Sequence, residues 1–174
     1  MAEDWAQDLS SNCQSKLVSK VKNFMLKQRD FYHVSLKAIL KNKDSKVLIL
    51  KARQSGTFSG FYDLPGGRID EDEFSKSLPE ILRREISEES GITDITVSAV
   101  PVATGRHCIK KEHSKTEKDI HVFYVFFEVQ LKSGDVSISH EHENHAWINL
   151  NDIILEEYFT SGILEGMKMY LKKA

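Results

Sequence analysis

The sequence predicts a single α/β layered domain. Three observations carry that expectation. The 174 residues suit one domain, strand-like segments flank a well-capped helix, and that helix follows a glycine-rich loop. Residues 5–29 come first: Trp5, Leu9, Leu17, Val21, Phe24, Met25 and Leu26 recur at roughly helical spacing, interrupted by Ser10-Ser11-Asn12. The pattern suits a packing helix or a contact between two copies of the chain. Residues 1–30 therefore read as a helical extension, and residues 31–174 as the domain proper.

Residues 32–40 alternate as a strand and residues 47–51 as a second, joined as a hairpin by the polar turn Lys41-Asn42-Lys43-Asp44-Ser45. Residues 54–67 read as a loop, punctuated by Gly56, Gly60, Pro65, Gly66 and Gly67. Ser77-Leu78-Pro79-Glu80 is a capping box that opens a helix. Pro79 lies in its first turn, where a missing N–H costs nothing, and Gly91 stops it. Residues 93–104 read as extended and residues 107–119 as a lysine-rich polar loop. Residues 120–131 form the most apolar strand, expected to be central because both its faces are apolar through Phe127. Residues 136–139 and 146–150 read as short strands, and residues 152–156 and 162–173 as helices. The last carries Ile163, Leu164, Met167, Tyr170 and Leu171 on one side.

Composition excludes several functions. With 24 basic against 26 acidic residues the chain is no strongly basic nucleic-acid binder. The longest apolar run, residues 122–127, falls far short of the ~20 residues of a membrane helix. Cys13 and Cys108 are too few for a disulfide framework, and the acidic start Met1-Ala2-Glu3-Asp4-Trp5 lacks the apolar segment of a secretory signal. A reducing cytoplasm is the expected compartment. Charge is unevenly spread: residues 1–60 carry a net +6, residues 61–94 a net −6 and residues 95–174 a net −2.

Spacing gives that acid a purpose. At about 100° per residue, Leu78, Ile81, Leu82 and Ile86 form an apolar stripe. Glu85 and Glu89 fall inside it and Glu88 beside its edge, with Glu80, Arg83, Ser87 and Ser90 on the polar side. Unpaired buried carboxylates are costly. Arg83 and Arg84 are expected to point elsewhere, so the compensating charge must come from outside the helix. Clustered carboxylate oxygens suit a hard divalent cation, Mg²⁺ or Mn²⁺, which typically keeps positions for water and substrate phosphates. Gly66-Gly67 just upstream lets backbone approach an ion or phosphate closely.

Gly67-Arg68-Ile69-Asp70-Glu71-Asp72-Glu73 and Arg84-Glu85-Ile86-Ser87-Glu88-Glu89-Ser90-Gly91-Ile92 resemble the signature of the Nudix hydrolases: Gly, five residues, Glu, seven residues, then Arg-Glu-aliphatic-x-Glu-Glu-x-Gly-aliphatic. The second half matches at every specified position. Leu64-Pro65-Gly66-Gly67 resembles the family's approach to this box, and Ala146-Trp147-Ile148 its Trp-containing strand. One departure stands out. Residues 74–83 separate Glu73 from Arg84, three more than the pattern allows, and the surplus falls most simply at Phe74-Ser75-Lys76.

The resemblance implies an α/β/α sandwich around a mixed sheet, and hydrolysis of a nucleoside diphosphate linked to another moiety. It implies Glu85, Glu88 and Glu89 as metal ligands assisted by the Gly67 carbonyl, and Arg84 orienting them through Glu73. It also implies a base among Glu88, Glu89 and a distant loop carboxylate, with Gly91 closing the box. Glu141 fits the loop carboxylate, lying ahead of Trp147.

Other residues leave alternatives open. Arg53, Arg106, Lys110 and Lys111 suit phosphate oxygens or plain surface charge. Phe58, Phe61 and Tyr62 suit stacking on a base or core packing. His140, His142 and His145 suggest zinc, a solvated loop or a lid, but no fourth zinc ligand is evident. Nudix subgroups that prefer ADP-ribose or diadenosine polyphosphates tend to carry a marker Pro or Tyr about sixteen to eighteen residues past the box, and residues 108–110 hold neither. The expected substrate is therefore a nucleoside triphosphate or a damaged nucleotide. The alternatives are a nucleotide sugar or ADP-ribose, an RNA 5′ end, and a non-catalytic nucleotide-binding module.

Overall fold

The computed structural model describes residues 29–53, 59–114 and 116–172. The helix expected over residues 5–29 and the role weighed for Phe58 lie outside these. The chain divides into the units Met1–Phe31 and Tyr32–Ala174, and the architecture below is that of the second.

Strand β1 (Tyr32–Lys41) is buried on both faces from Ser35 to Leu40. Such burial belongs to a strand flanked by others and covered on both sides. It pairs antiparallel with β2 (Val47–Ala52) and, over ten registered positions from Tyr32 opposite His121 to Lys41 opposite Gln130, parallel with β6 (Ile120–Ser133). The sheet order is β3-β2-β1-β6-β4, with β5 (Ala103–Ile109) also on β6 and β7 (His142–Ile148) also on β2. β3 is the pair Tyr62–Asp63 and β4 is Asp94–Val97.

Alternation along the strands feeds two cores. Leu36, Ala38, Leu40, Leu48, Leu50, Phe127 and Val129 meet Ile81, Leu82 and Ile86 of helix α1 (Leu78–Ser90). On the other face Ile39, Ile49, Val122, Tyr124 and Phe126 meet Ile163, Met167 and Tyr170 of helix α3 (Ser161–Leu171). The result is a helix–sheet–helix sandwich around a mixed sheet.

The hairpin carries the feature that matters most. β1 and β2 meet at their turn, with Lys41 opposite Val47. Farther along, the β1 backbone turns to the glycine loop: Leu36 N donates to Gly67 O and Ala38 N to Pro65 O, each at 2.8 Å, and Val34 O accepts from Ile69 N at 3.0 Å. β2 meanwhile takes β3, with Leu50 opposite Asp63. The strands splay, and the loop wedges between them.

Several expectations need correction. Residues 93–104 are not one extended run, because β4 ends at Val97, residues 98–102 break the ladder around Pro101, and β5 continues through Ile109 into the expected polar loop. The first half of β6 takes β5 as its edge partner, and that pairing overrides the polar sequence of residues 104–108. Residues 136–139 are no strand: Ser137 N and Ser139 N donate to Ser90 O and Glu89 O at 2.8 and 2.9 Å, satisfying carbonyls at the end of α1. β7 starts earlier than expected, at His142. The helix expected over residues 152–156 is a 3-10 turn, Leu150–Asp152, followed by the short helix α2 (Leu155–Tyr158). Ser90, expected on the polar face, is buried, and its hydroxyl donates to Ile86 O at 2.6 Å.

Candidate active site

Helix α1 is fixed at both ends. Ser77 and Glu80 close the capping box, and Gly91, at φ 70°, donates to Ser87 O. Rotation about this helix is set by its packed stripe, so Glu85 and Glu89 are carried toward the glycine loop. Glu85 lies directly against Gly67, where a methyl group would sit 2.5 Å from Oε2 and closer still to Cδ and Oε1. Glu89 Oε2 accepts from Gly66 N at 2.8 Å. Glu88, its side chain 57% exposed, stands at the rim.

Arg84 does not point away as expected. Its Nε and Nη2 donate to the two oxygens of Glu73, both at 2.7 Å, in a bidentate pair. The same guanidinium lies 3.0 Å from Glu85 Oε1 and 2.9 Å from Glu88 Oε2. Arg83 does turn elsewhere, to Ile95 O at 2.7 Å. The reason is the 3-10 turn Glu71–Glu73, which brings Glu73, only 2% exposed, up against the helix and draws Arg84 onto it. The hydrogen bonds from Arg84 hold the Glu73 carboxyl at about 2, aided by Asp70 N and Lys76. Lys76 Nζ returns to Glu73 Oε1 at 3.2 Å while Phe74, 96% exposed, bulges outward. The three surplus residues therefore loop out, and Glu73 still reaches Arg84.

A cleft of about 390 Å³ opens beside Gly66, Gly67 and Glu89. Arg53, Arg68, Glu141 and His142 line it, with Lys37, Asp63, Val122 and Tyr124 deeper in. Burial pushes the Tyr124 hydroxyl up to about 12. His142 Nε2 lies 3.4 Å from Glu89 Oε1, and neither ring nitrogen has a hydrogen-bond partner among the described residues.

Of the residues singled out from sequence, Phe61, Tyr62, Arg106, Lys110, Lys111, His140 and His145 do not line this cleft. Tyr62 stacks on Tyr158 at 5.5 Å with Lys51 over its ring. Arg106 borders a separate pocket with His107 and Ser161. Lys37, Asp63 and Arg68 were missed by sequence reasoning. The one available signal was a lysine set between Leu36 and the apolar run Ala38-Ile39-Leu40.

The model of the NUDIX domain matches residues 31–167. The chain belongs to the Nudix family. The nucleoside triphosphatase NudI of Escherichia coli O81 (strain ED1a) is 27% identical over 117 residues, which cover 67% of this chain and 81% of that protein. Among solved structures, the MutT protein of Methanosarcina mazei Go1 superposes with a TM-score of 0.65 at 22% identity, covering 84% of this chain and 97% of its own. An ADP-ribose pyrophosphatase of Streptococcus suis 89-1591 gives 0.55 at 23% identity, with 82% and 92% covered. These two likenesses show the shared Nudix fold.

Nudix hydrolases generally use a divalent metal such as Mg²⁺. The residues present fit one chemically. Glu73, Glu85 and Glu88 crowd around the Arg84 guanidinium, with Asp70 3.8 Å away, so negative charge remains in excess even with Arg84 in place. Burial first, and then the charges of Glu89 and Glu88, push the Glu85 carboxyl up against the pull of Arg84, and a cation would relieve that cost. All donors are hard oxygens. Among the described residues, however, no three His, Cys, Asp or Glu side chains already converge on one point. That holds for His140, His142 and His145, and equally for the glutamates, which are turned to Arg84, Gly67 and Gly66.

Proposed function

We propose that this Nudix hydrolase cleaves a phosphoanhydride of a nucleoside triphosphate or damaged nucleotide, with Mg²⁺ or Mn²⁺, releasing a nucleoside monophosphate. The observation that carries the reading is the carboxylate cluster of Glu73, Glu85 and Glu88 around Arg84, continued by Glu89 into a cleft that Arg53 and Arg68 also line. The relative named a nucleoside triphosphatase supports the substrate class. Glu85, Glu88 and Glu89 would hold the cation, with the Gly67 carbonyl, which accepts from Leu36 N and keeps a second lone pair. When bound, it neutralises diphosphate charge and lowers the pKa of water.

The chain's own residues do the rest. Arg84, clamped by Glu73, fixes where Glu85 and Glu88 stand. Arg53 and Arg68 receive phosphate oxygens at the mouth of the cleft. Glu141, beside His142 in the lining of the cleft, takes the proton of the attacking water. Tyr62 and Arg106 have no part in this reading.

The test is a panel of nucleoside triphosphates, ADP-ribose, nucleotide sugars and 5′-triphosphate RNA with Mg²⁺, products being separated by chromatography. Monophosphate from a triphosphate, abolished by EDTA, is the expected result. Preference for another member of the panel reassigns the substrate, and full activity in EDTA overturns the metal assignment.

A further inference from the structure

Lys37 is a buried cation that the proposed chemistry leaves unused. Its side chain is 5% exposed. Its ammonium donates to Asp63 Oδ2 at 2.8 Å, Leu64 O at 3.2 Å and Gly66 O at 2.9 Å. An ammonium has three protons, and here all three are committed, so Lys37 has none left for a substrate phosphate.

The pattern of acceptors gives it a role. Four consecutive carbonyls, Leu64 to Gly67, are all received by three consecutive residues of β1. Pro65 O and Gly67 O take the Ala38 and Leu36 amides, which any residues there would supply. Leu64 O and Gly66 O, pointing the other way, depend on the Lys37 side chain. With every peptide plane of the turn fixed, Gly66 N is aimed at Glu89 Oε2 and Gly67 is pressed against the Glu85 carboxylate. The two acids one helical turn apart are therefore both set by one short template. Burial works against the ammonium's charge, but Asp63 and Glu89 more than offset it and hold the Lys37 pKa above its ordinary value.

We propose that Lys37 is a positioning residue that acts through the Leu64–Gly67 turn to set the geometry of Glu85 and Glu89 for metal. This rests on the metal site proposed above. The test measures Mn²⁺ affinity of the substrate-free protein by electron paramagnetic resonance, beside kcat, KM and thermal unfolding. Lys37→Met keeps the aliphatic stem and should weaken Mn²⁺ binding by about 10–100-fold, as loss of a residue that orients metal ligands typically does. kcat should fall with it while KM changes less.

Should that variant not fold, Lys37→Met combined with Asp63→Leu removes both buried charges together, an exchange that buried ion pairs often tolerate. The folded double variant should show the same loss of Mn²⁺ affinity. Wild-type Mn²⁺ affinity in either folded variant overturns the proposal, whether stability alone or KM alone has changed. No Mn²⁺ binding by the wild type overturns the metal site and this proposal with it. Mn²⁺ binding without triphosphate hydrolysis overturns only the substrate assignment.

Discussion

Gly66 and Gly67 stand side by side, and the same substitution should do opposite things to them. At Gly67 the three atoms nearest an added methyl all belong to the tip of the Glu85 side chain, with Oε2 at 2.5 Å. Ordinary contact begins near 3.4 Å, so the carboxylate must retreat by about 1 Å. The backbone needs no left-handed φ there, and glycine-to-alanine changes at compatible positions stabilise by about 0.4–1 kcal/mol. Moving one flexible side chain offsets part of that gain. The melting temperature of Gly67→Ala should therefore stay within about 5 °C of wild type. A misplacement of about 1 Å at a reacting centre can cost about 10²-fold, or about 2.7 kcal/mol of transition-state stabilisation. At Gly66, φ is 136° and the methyl would be 3.0 Å from the backbone carbon of Leu36 and closer to its oxygen. Neither can yield without moving β1, so Gly66→Ala should fail to fold. Steady-state kinetics in Mg²⁺, Mn²⁺ titration and thermal melts of the two variants provide the comparison. A folded Gly67→Ala with wild-type kcat/KM, or one that melts as badly as Gly66→Ala, refutes the reasoning.

Glu89→Gln should lower kcat on the order of 10²-fold through lost charge for the metal. Its metal-free melting temperature should stay level, since an amide oxygen can still accept from Gly66 N and relief of the repulsion with Glu85 offsets the lost attraction to Lys37. A collapse in melting temperature marks Glu89 as structural instead. Glu141→Gln should lower kcat with Mn²⁺ affinity kept and shift the acidic limb of the pH–rate profile, and unaltered kinetics remove Glu141 from the mechanism. Acid stability follows from Glu73, whose carboxyl is held at about 2, below its unfolded value. A depressed carboxylate contributes fully above the unfolded pKa and loses that contribution as pH falls toward the folded one. Urea midpoints of Glu73→Gln should therefore fall less between pH 5 and pH 2 than those of wild type, and parallel curves exclude it.

Helix α1 was legible in the sequence because its signals are local: a capping box, a terminating glycine, and acids at helical spacing from an apolar stripe. The direction of Arg84 was not legible from helical spacing, and only the resemblance to the Nudix signature implied its pairing with Glu73. That direction is decided by Glu73, which lies on a separate turn eleven residues back and becomes a neighbour only once the chain folds. β5 was hidden because Thr104-Gly105-Arg106-His107-Cys108 has little strand character of its own and is ordered by the edge of β6. Val136 and Ile138 alternate like a strand, but their backbone is drawn to the carbonyls ending α1, a demand no local pattern reveals. Lys37 looked like the polar member of an alternating pair. Its acceptors lie 26 to 29 residues away, on a loop whose path depends on the splayed hairpin.

The segment from Ser137 to Ser139 ties two parts of the site to one length of chain. Its amides are anchored on Ser90 and Glu89, and only two residues later the chain delivers Glu141 and His142 to the cleft. That tether works as a ruler: a residue added or removed between Ser139 and Glu141 changes the reach from the helix to Glu141 and His142 directly. At Phe74-Ser75-Lys76 the chain behaves otherwise, shedding its extra length outward into solvent while Glu73 and Arg84 stay joined. Variation in length is thus absorbed ahead of the helix and transmitted behind it. The N-terminal side of α1 accommodates its extra loop residues with Glu73 and Arg84 still joined, while its C-terminal side is held to register by the short span from Ser139 to Glu141 and His142.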